Sequence, residues 1–591
     1  MNKLTDFKPI KRLELPELGE LRCSGLIVIV GPNSSGKSQL LHDIKGKISG
    51  EIRELVVATD LKIETPDLQS FLECLKSEGY IHSTWDDNDQ EQYVPKTTSL
   101  GTGQPALNVG SQQLQQWEGR SKQPKIRNRR NEYFGWSSGF LVTALFLENR
   151  LTCLTTVATI NFETQPPNND LHALHLNDEA REALTEEARQ AFSKSIWSDI
   201  SRGNQLCLRV SEDEQIPDAK DRLSVKKMAE YRTIESEGDG MKSYVATVIS
   251  LLLGRRPVTI IDEPELCLHP PQAYNIGQFI GKHGTSEETA TFVATHSSQV
   301  LRGIIQTADS LQIVRLTKYN NGFSAKHVDS KVLSDAMEKP TVRSDTVLNG
   351  IFSQAVTIVE ADGDRIVYQA AWEKVGKDNN FDIHFTTAGG TGAIADTCQL
   401  YKILGIPVAV IADLDVITDM PKLENIINRI CDGNENKLAL IEEAKSIAEI
   451  LQKLPPSITP DEAHDQIQEL ANQEFTWVNG DDRRLRDSLS SLRSQLNGMR
   501  KLKDGGIDKL PKDVSASLNS LVNKLQKVGL FLVPIGELEG WLSDCNISAS
   551  KKRKWAWANE SAQYIRANPR RDDDIWGFIE QLGDYLTKQI S

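Results

Sequence analysis

The stretch IVIVGPNSSGKSQLL, Ile27 to Leu41, decides how the first half of the chain folds. Ile27 to Val30 end a strand too apolar to face water on either side. Gly31, Pro32, Asn33, Ser34, Ser35, Gly36, Lys37 and Ser38 then fit G-x-x-x-x-G-K-[ST]. The glycines let the backbone curl so that amide N–H groups point inward, and the following helix adds its positive end. Such a loop cradles nucleotide phosphates. Lys37 is expected to reach the β- and γ-phosphates and Ser38 to ligate one Mg²⁺, with Gly31, Asn33, Ser34, Ser35 and Gly36 completing an ATP site.

A nucleotide hydrolase also needs acids beside that loop. In VTIIDEPELCLHP (258–270), an apolar strand ends at Asp262, suited to hold Mg²⁺ through water. Glu263, the next residue, is placed to polarise the attacking water. A further strand in FVATHSSQVL (292–301) ends near His296, suited to sense the γ-phosphate. Together these motifs resemble ABC-type ATPases, in the branch shared by RecF-, SMC- and OLD-like proteins. That family donates a signature segment across a dimer to the partner's ATP. Here the matching stretch is ESEGDGMKSYVATVISLLL (235–253), with Ser236 and Gly238 placed by the resemblance against nucleotide. With Asp239 and Gly240 following, it departs from the commoner S-G-G-Q form. The resemblance implies a homodimer with two ATPs at its seam.

Two acidic stretches lie far downstream. In TIVEADGDRIVYQ (357–369), Glu360 ends a strand and Asp364 follows one turn later. In VAVIADLDVITD (408–419), Asp413 and Asp415 follow another. Carboxylates at the C-terminal ends of neighbouring parallel strands point into one crevice. Their mutual repulsion calls for cations, and two Mg²⁺ or Mn²⁺ ions would relieve it. A Glu after the first strand and a later D-x-D resemble the Toprim domain, over about residues 352–420 and again about 529–560. Ala361 stands where that family has glycine, and AGGTG (388–392) matches its glycine loop. GELEGWL (536–542) resembles the late acidic motif of OLD nucleases. Glu539 fits as a further metal ligand, and Glu537 is its rival. Of the lysine that often follows in the family, SKKRKW offers Lys551, Lys552 and Lys554 as equal candidates.

The expected fold class is α/β: an ABC-type P-loop ATPase domain over 1–345 and a Toprim domain, a Rossmann-like parallel sheet, over 346–591. A polar insert at 85–131 reads as a long loop or a partly ordered insert, 175–200 as helix and 325–350 as a charged connector. Residues 420–528 read as a helical insertion, with Leu440, Ala444, Ile447 and Leu451 on one stripe and a capping box from Thr459 to Glu462. Strand character returns at 529–542.

Bulk properties bound the rest. The chain has 591 residues, enough for several cores, and its formal charge is −14 from 68 basic and 82 acidic side chains. So acidic a protein meets DNA only through local basic patches. Candidates are 122–130, Arg483 to Arg500 and 551–554; Trp555 and Trp557 are candidates for base stacking, with core packing favoured. The eight cysteines include no C-x-x-C pair, which fits a reducing cytosol. The N-terminus lacks a signal-peptide run and no apolar run reaches membrane-spanning length, so a cytoplasmic location is expected.

An ABC ATPase followed by a Toprim domain resembles the OLD (overcoming lysogenization defect) family. Its relatives include the nuclease subunit of Gabija systems and effectors encoded beside retrons. The resemblance implies an ATPase and metal-dependent DNA endonuclease, a dimer or tetramer, active in anti-phage defence. The implied partner is a helicase-like protein or a retron reverse transcriptase with its DNA, the latter holding a toxin-like effector silent. The competing expectation is a RecF-like repair ATPase whose acidic domain only docks.

Overall fold

The computed structural model describes all residues except 1–2, 88, 96–107, 122–130, 164–166, 168, 213–215, 254–255, 320–321, 330–343, 377–380, 389–392, 432, 457, 474–480, 497–501, 503–504, 546, 551–552, 572–573 and 591. The chain divides into two compact units, Met1–Ser334 and Asp335–Ser591.

The first unit is built on β1 (Gly25–Val30), whose six residues are all buried. It leads into α1 (Lys37–Ile48). Along the chain follow β2 (Val142–Leu145), α2 (Leu147–Thr152), α3 (Asp239–Leu253), β3 (Val258–Asp262), α4 (Pro270–His283), β4 (Ala290–Ala294), α5 (Ser298–Thr307), β5 (Leu311–Tyr319) and β6 (Gly322–Asp329). The sheet order is β6-β5-β1-β4-β3-β2. All neighbours are parallel except the β5–β6 pair. Parallel strands buried on both faces require continuous apolar runs, which is why β1, β3 and β4 read as they do. The parallel register brings Gly31, Asp262 and Thr295 to the same sheet edge, one residue past each strand or at its last position.

Several sequence expectations need correction here. Of the two readings of the insert at 85–131, the long loop fails and the partly ordered insert holds: Ile81–Trp85 pairs with Glu91–Pro95, which pairs with Val109–Gly110, and a helix runs Ser111–Ser121. Helix does fill Asp170–Leu176 and Asp178–Phe192, but Ser195–Asp199 is a strand against Gln205–Ser211. Its pattern of buried residues alternates too weakly to separate from helix by period alone. The supposed connector contains most of β6 and a short helix at Asp345–Asn349.

The second unit carries a four-stranded, wholly parallel sheet. Its elements are β7 (Ala355–Val359), α6 (Asp362–Val375), β8 (Ile383–Thr387), α7 (Ile394–Ile403), β9 (Val408–Ala412), β10 (Leu530–Leu532), α8 (Lys554–Ala567) and α9 (Asp574–Ile590). The order is β8-β7-β9-β10, so β7 and β9 are central and adjacent. Between β9 and β10 lie helices Met420–Ile430, Asn434–Gln452, Pro460–Ala471, Asp481–Gln495 and Lys512–Lys527. Leu440, Ala444, Ile447 and Leu451 are buried along one stripe. The capping box forms: the Glu462 N–H donates to Thr459 Oγ1 at 3.3 Å, and the Thr459 N–H to Glu462 Oε2 at 2.8 Å. Only Leu530–Leu532 of the expected 529–542 strand is extended; the chain then turns into a 3₁₀ segment at Leu538–Gly540. Helix α6 packs on α8 and α9 over a core with Tyr368, Trp541, Trp557 and Trp576.

Candidate functional sites

In the first unit the loop between β1 and α1 is held by its glycines. Gly31 has φ +147°, and a Cβ there would lie 2.1 Å from the Leu316 carbonyl oxygen on β5. Gly36 has φ +95°, and its Cβ would meet the Phe323 ring of β6 at 2.7 Å. No side chain larger than hydrogen fits either place. Asn33 and Ser34 are exposed and Ser35 is buried, its Oγ without a partner. Lys37 is buried and its ammonium donates to the carbonyls of Gly31 at 3.0 Å and Pro32 at 2.9 Å. Burial holds its pKa below the ordinary lysine value against the pull of Glu263, Glu265 and Asp262.

Residue Ser38 donates its hydroxyl to Asp262 Oδ1 at 3.0 Å, so the loop and the end of β3 meet. Burial raises Asp262 to about 6, despite that hydrogen bond. Glu263 sits in the left-handed region at φ +46°, and its N–H donates to the Ala294 carbonyl at 2.8 Å. His296 Nδ1 lies 3.2 Å from a carboxylate oxygen of both Glu263 and Glu265, aligned for a hydrogen bond with neither. The pairing with Glu263 raises the imidazole pKa and lowers the Glu263 carboxyl. Ser236 and Gly238 are exposed at the start of α3, away from close contact: a Cβ on Gly238 would meet nothing within 4 Å. By contrast Gly240 is pressed against the loop after β3, its hypothetical Cβ 2.2 Å from the Cys267 carbonyl.

Two residues here escaped the sequence reading. Glu265 is buried; its Oε1 accepts from the Thr295 hydroxyl and the His296 N–H, each at 2.8 Å. Arg150, on α2, is fully buried and donates from Nη2 to the Glu263 carbonyl at 3.0 Å. A lone Arg after an apolar run carries no period or motif that would single it out.

In the second unit the sheet places Glu360 just past β7 and Asp413 just past β9 on adjacent strands. Asp364 lies in the first turn of α6, where its Oδ2 accepts the Ala361 N–H at 2.9 Å. The Leu414 N–H donates to the Gly536 carbonyl at 2.9 Å, which ties the Asp413–Asp415 turn to the Glu537–Glu539 turn. Glu539 is 3% exposed, and its Oε2 has no hydrogen-bond partner. Lys554 Nζ stands 3.4 Å from Glu539 Oε1. Of the three candidate lysines it is the one among the described residues; Lys551 and Lys552 lie outside them. Glu537 is less buried than Glu539, though its charge also reaches Lys554.

These groups share one field. Burial, then Glu360, Asp364 and Asp415, pushes Asp413 up to about 8. Burial, then Glu360 and Glu539, pushes Asp364 up to about 6 against its bond to Ala361. Burial pulls the Lys554 ammonium down, but Glu539, Glu537 and Asp413 outweigh it and hold it above its ordinary value. Tyr368, one turn beyond Asp364, is buried and accepts the Trp541 indole N–H at 3.2 Å.

The donor set suits a hard divalent cation: oxygen ligands, excess negative charge, and a buried carboxylate oxygen with nothing to bind. Among the described residues, however, no three His, Cys, Asp or Glu side chains converge closely enough to hold an ion as they stand. A cation held by these acids would require their side chains to turn towards it. The glycine loop at 389–392 and the basic cluster at 122–130 fall outside the described residues, as do Arg500 and the side chain of Arg483. Arg484, Arg486 and Arg493 are exposed on their helix. Trp557 is core and Trp555 is 60% exposed.

A family model described as "AAA domain, putative AbiEii toxin, Type IV TA system" matches residues 173–302, and one described as "Overcoming lysogenization defect protein-like, TOPRIM domain" matches residues 351–415. The first match spans Asp262, Glu263 and His296 but not the loop at Gly31–Ser38. Solved structures similar to this chain include the SMC head domain from Thermotoga maritima, 12% identical at a TM-score of 0.27, covering 54% of this chain and 99% of that one. Another is the C-terminal region of the Xanthomonas campestris pv. campestris OLD protein, 16% identical at a TM-score of 0.17, covering 40% of this chain and 97% of that one. No curated protein matches the chain.

Proposed function

We propose that this OLD-family protein, an AAA-type ATPase domain joined to an OLD-like Toprim domain, is an ATP-regulated, metal-dependent DNA endonuclease. The observation that carries the reading is the state of Asp413. Its carboxyl is held near 8 by burial and by Glu360, Asp364 and Asp415, a charge arrangement that a divalent cation relieves. Glu360, Asp364, Asp413, Asp415 and Glu539 would hold two Mg²⁺ or Mn²⁺ ions, which when bound supply charge neutralisation for in-line attack on a phosphodiester. Lys554, beside Glu539, would then meet a phosphate oxygen and orient the strand.

In the ATPase domain, Lys37 would exchange its two loop carbonyls for the β- and γ-phosphates. Ser38 and Asp262, already hydrogen-bonded, would share one Mg²⁺. Glu263 would accept the proton of the attacking water, and His296, next to it, would report the γ-phosphate. The exposed Ser236 and Gly238 fit a role on a second copy's nucleotide, and so a homodimer or a higher assembly. Among the described residues no helix is long and apolar enough to cross a membrane. Anti-phage defence in the cytosol, beside a helicase-like or retron-encoded partner, is the setting this reading assigns.

The test is nicking of supercoiled plasmid with Mn²⁺. EDTA-sensitive conversion to open circles is expected; no conversion across Mg²⁺, Mn²⁺ and ATP concentrations would contradict it. The second reading, a RecF-like repair ATPase with a docking Toprim domain, is favoured by the absence, among the described residues, of a ready-made three-ligand metal site. It predicts DNA-stimulated ATP hydrolysis with intact plasmid.

A further inference from the structure

We infer that Arg150 is a positioning residue for ATP hydrolysis, clamping the Glu263 peptide so that its carboxylate faces the attacking water. The inference rests on the ATPase reading above.

Glu263 stands at φ +46°, a backbone region that disfavours a long side chain and persists only where surroundings hold it. Three hydrogen bonds do so. The Glu263 N–H donates to Ala294 on β4, and the Glu263 carbonyl accepts the Leu266 N–H at 3.1 Å and Arg150 Nη2 at 3.0 Å. The first belongs to the sheet framework and the second to the turn that Glu263 itself opens. The third alone comes from a side chain, on α2, which follows edge strand β2 beside β3. Losing it would leave only the local turn on that carbonyl and loosen the peptide, letting the carboxylate shift away from His296 and from the loop.

The rest of the guanidinium argues that structure alone is not its purpose. Arg150 is fully buried, yet Nε and Nη1 have no hydrogen-bond partner. Glu265 is buried too, with Oε2 unpartnered. A buried charged donor and a buried charged acceptor, both incompletely satisfied, flank the residue that would take the proton. Arrangements of this kind are costly to the fold and are kept where a site uses them. Glu265 meanwhile fixes the backbone of His296. Arg150 thus holds Glu263, and Glu265 holds its neighbour His296.

The test compares wild type, Arg150→Met and Arg150→Lys in steady-state ATP hydrolysis, with Tm and direct ATP binding measured alongside. A clamp on the base acts on the chemical step, so kcat should fall about 10- to 100-fold in Arg150→Met while KM and ATP binding move less than about threefold. Arg150→Lys, which keeps the charge and a donor, should recover part of kcat. Wild-type kcat in a folded Arg150→Met protein would overturn the inference, as would loss of kcat, ATP binding and Tm together. If Arg150→Met does not fold, Arg150→Lys decides: lower kcat at unchanged KM supports the clamp, whereas unchanged kcat or a joint loss refutes it. Absence of ATP hydrolysis in the wild type would instead remove the ATPase reading itself.

Discussion

Asp413 condenses the acidic site into one group. A carboxyl whose pKa rises on folding binds its proton more tightly in the native state, so stability falls as pH climbs from the ordinary aspartate value towards the raised one. For Asp413 that window runs from about 4 to about 8. Metal-free Asp413→Asn should therefore melt above the wild type at pH 8, by about 2–4 °C, and match it near pH 4. Mn²⁺ at a hundredfold excess over its dissociation constant should stabilise the wild type by about 2.7 kcal/mol and leave the variant unmoved. Thermal melts across pH, with and without Mn²⁺, check both; equal melts at pH 8, or an Mn²⁺ shift retained by Asp413→Asn, would count against a cation site. At this scale the sequence was informative where a residue ends an apolar strand, as Glu360, Asp413 and Asp262 do. It was silent on Arg150 and Glu265, which matter through burial and contact. It offered three lysines after Glu539 as equals, and the contact of Lys554 with Glu539 is visible only in the fold.

Elements set where those residues go. Parallel register brings the C-terminal ends of β1, β3 and β4 to one edge, and the ends of β7 and β9 to another. Continuous apolar runs make such strands legible. Strands without such a run were not: Ser195–Asp199 directly follows a helix and carries Ser195, Ser198 and Asp199 among its five residues, and β6 lay in a charged stretch read as connector. That strand matters, because its Phe323 and the Leu316 carbonyl of β5 are what forbid side chains at Gly36 and Gly31. Gly31→Ala would drive a methyl into a backbone carbonyl 2.1 Å away in a left-handed conformation. The expected cost is about 2–4 kcal/mol, with ATP binding lost. Urea unfolding and an ATP titration measure the two; a variant as stable as wild type that binds ATP would show the loop is not so constrained.

On the scale of the whole molecule, two compact units share one acidic chain. A ligand shifts an equilibrium only through unequal affinity for its states. ATP control of cutting therefore requires that nucleotide bind one assembly more tightly than another. Glu263→Gln should retain ATP without hydrolysing it and accumulate the ATP-bound dimer, seen by light scattering as a doubled mass that Lys37→Ala cannot reach. A monomer at saturating ATP would contradict the exposed Ser236–Gly238 edge as a seam. Domain order was readable because motif follows motif along the chain. Coupling between the two proposed activities was not, since no single stretch would encode it.

The most direct measurement is a side-by-side plasmid assay of wild type and Asp413→Ala, each first shown to bind ATP. With Mn²⁺, the wild type should nick the plasmid and Asp413→Ala should fall by about 100-fold or more, since its loss removes a ligand from the proposed ion pair. Nicking by Asp413→Ala at the wild-type rate would mean that the acids at the ends of β7 and β9 do not cut DNA.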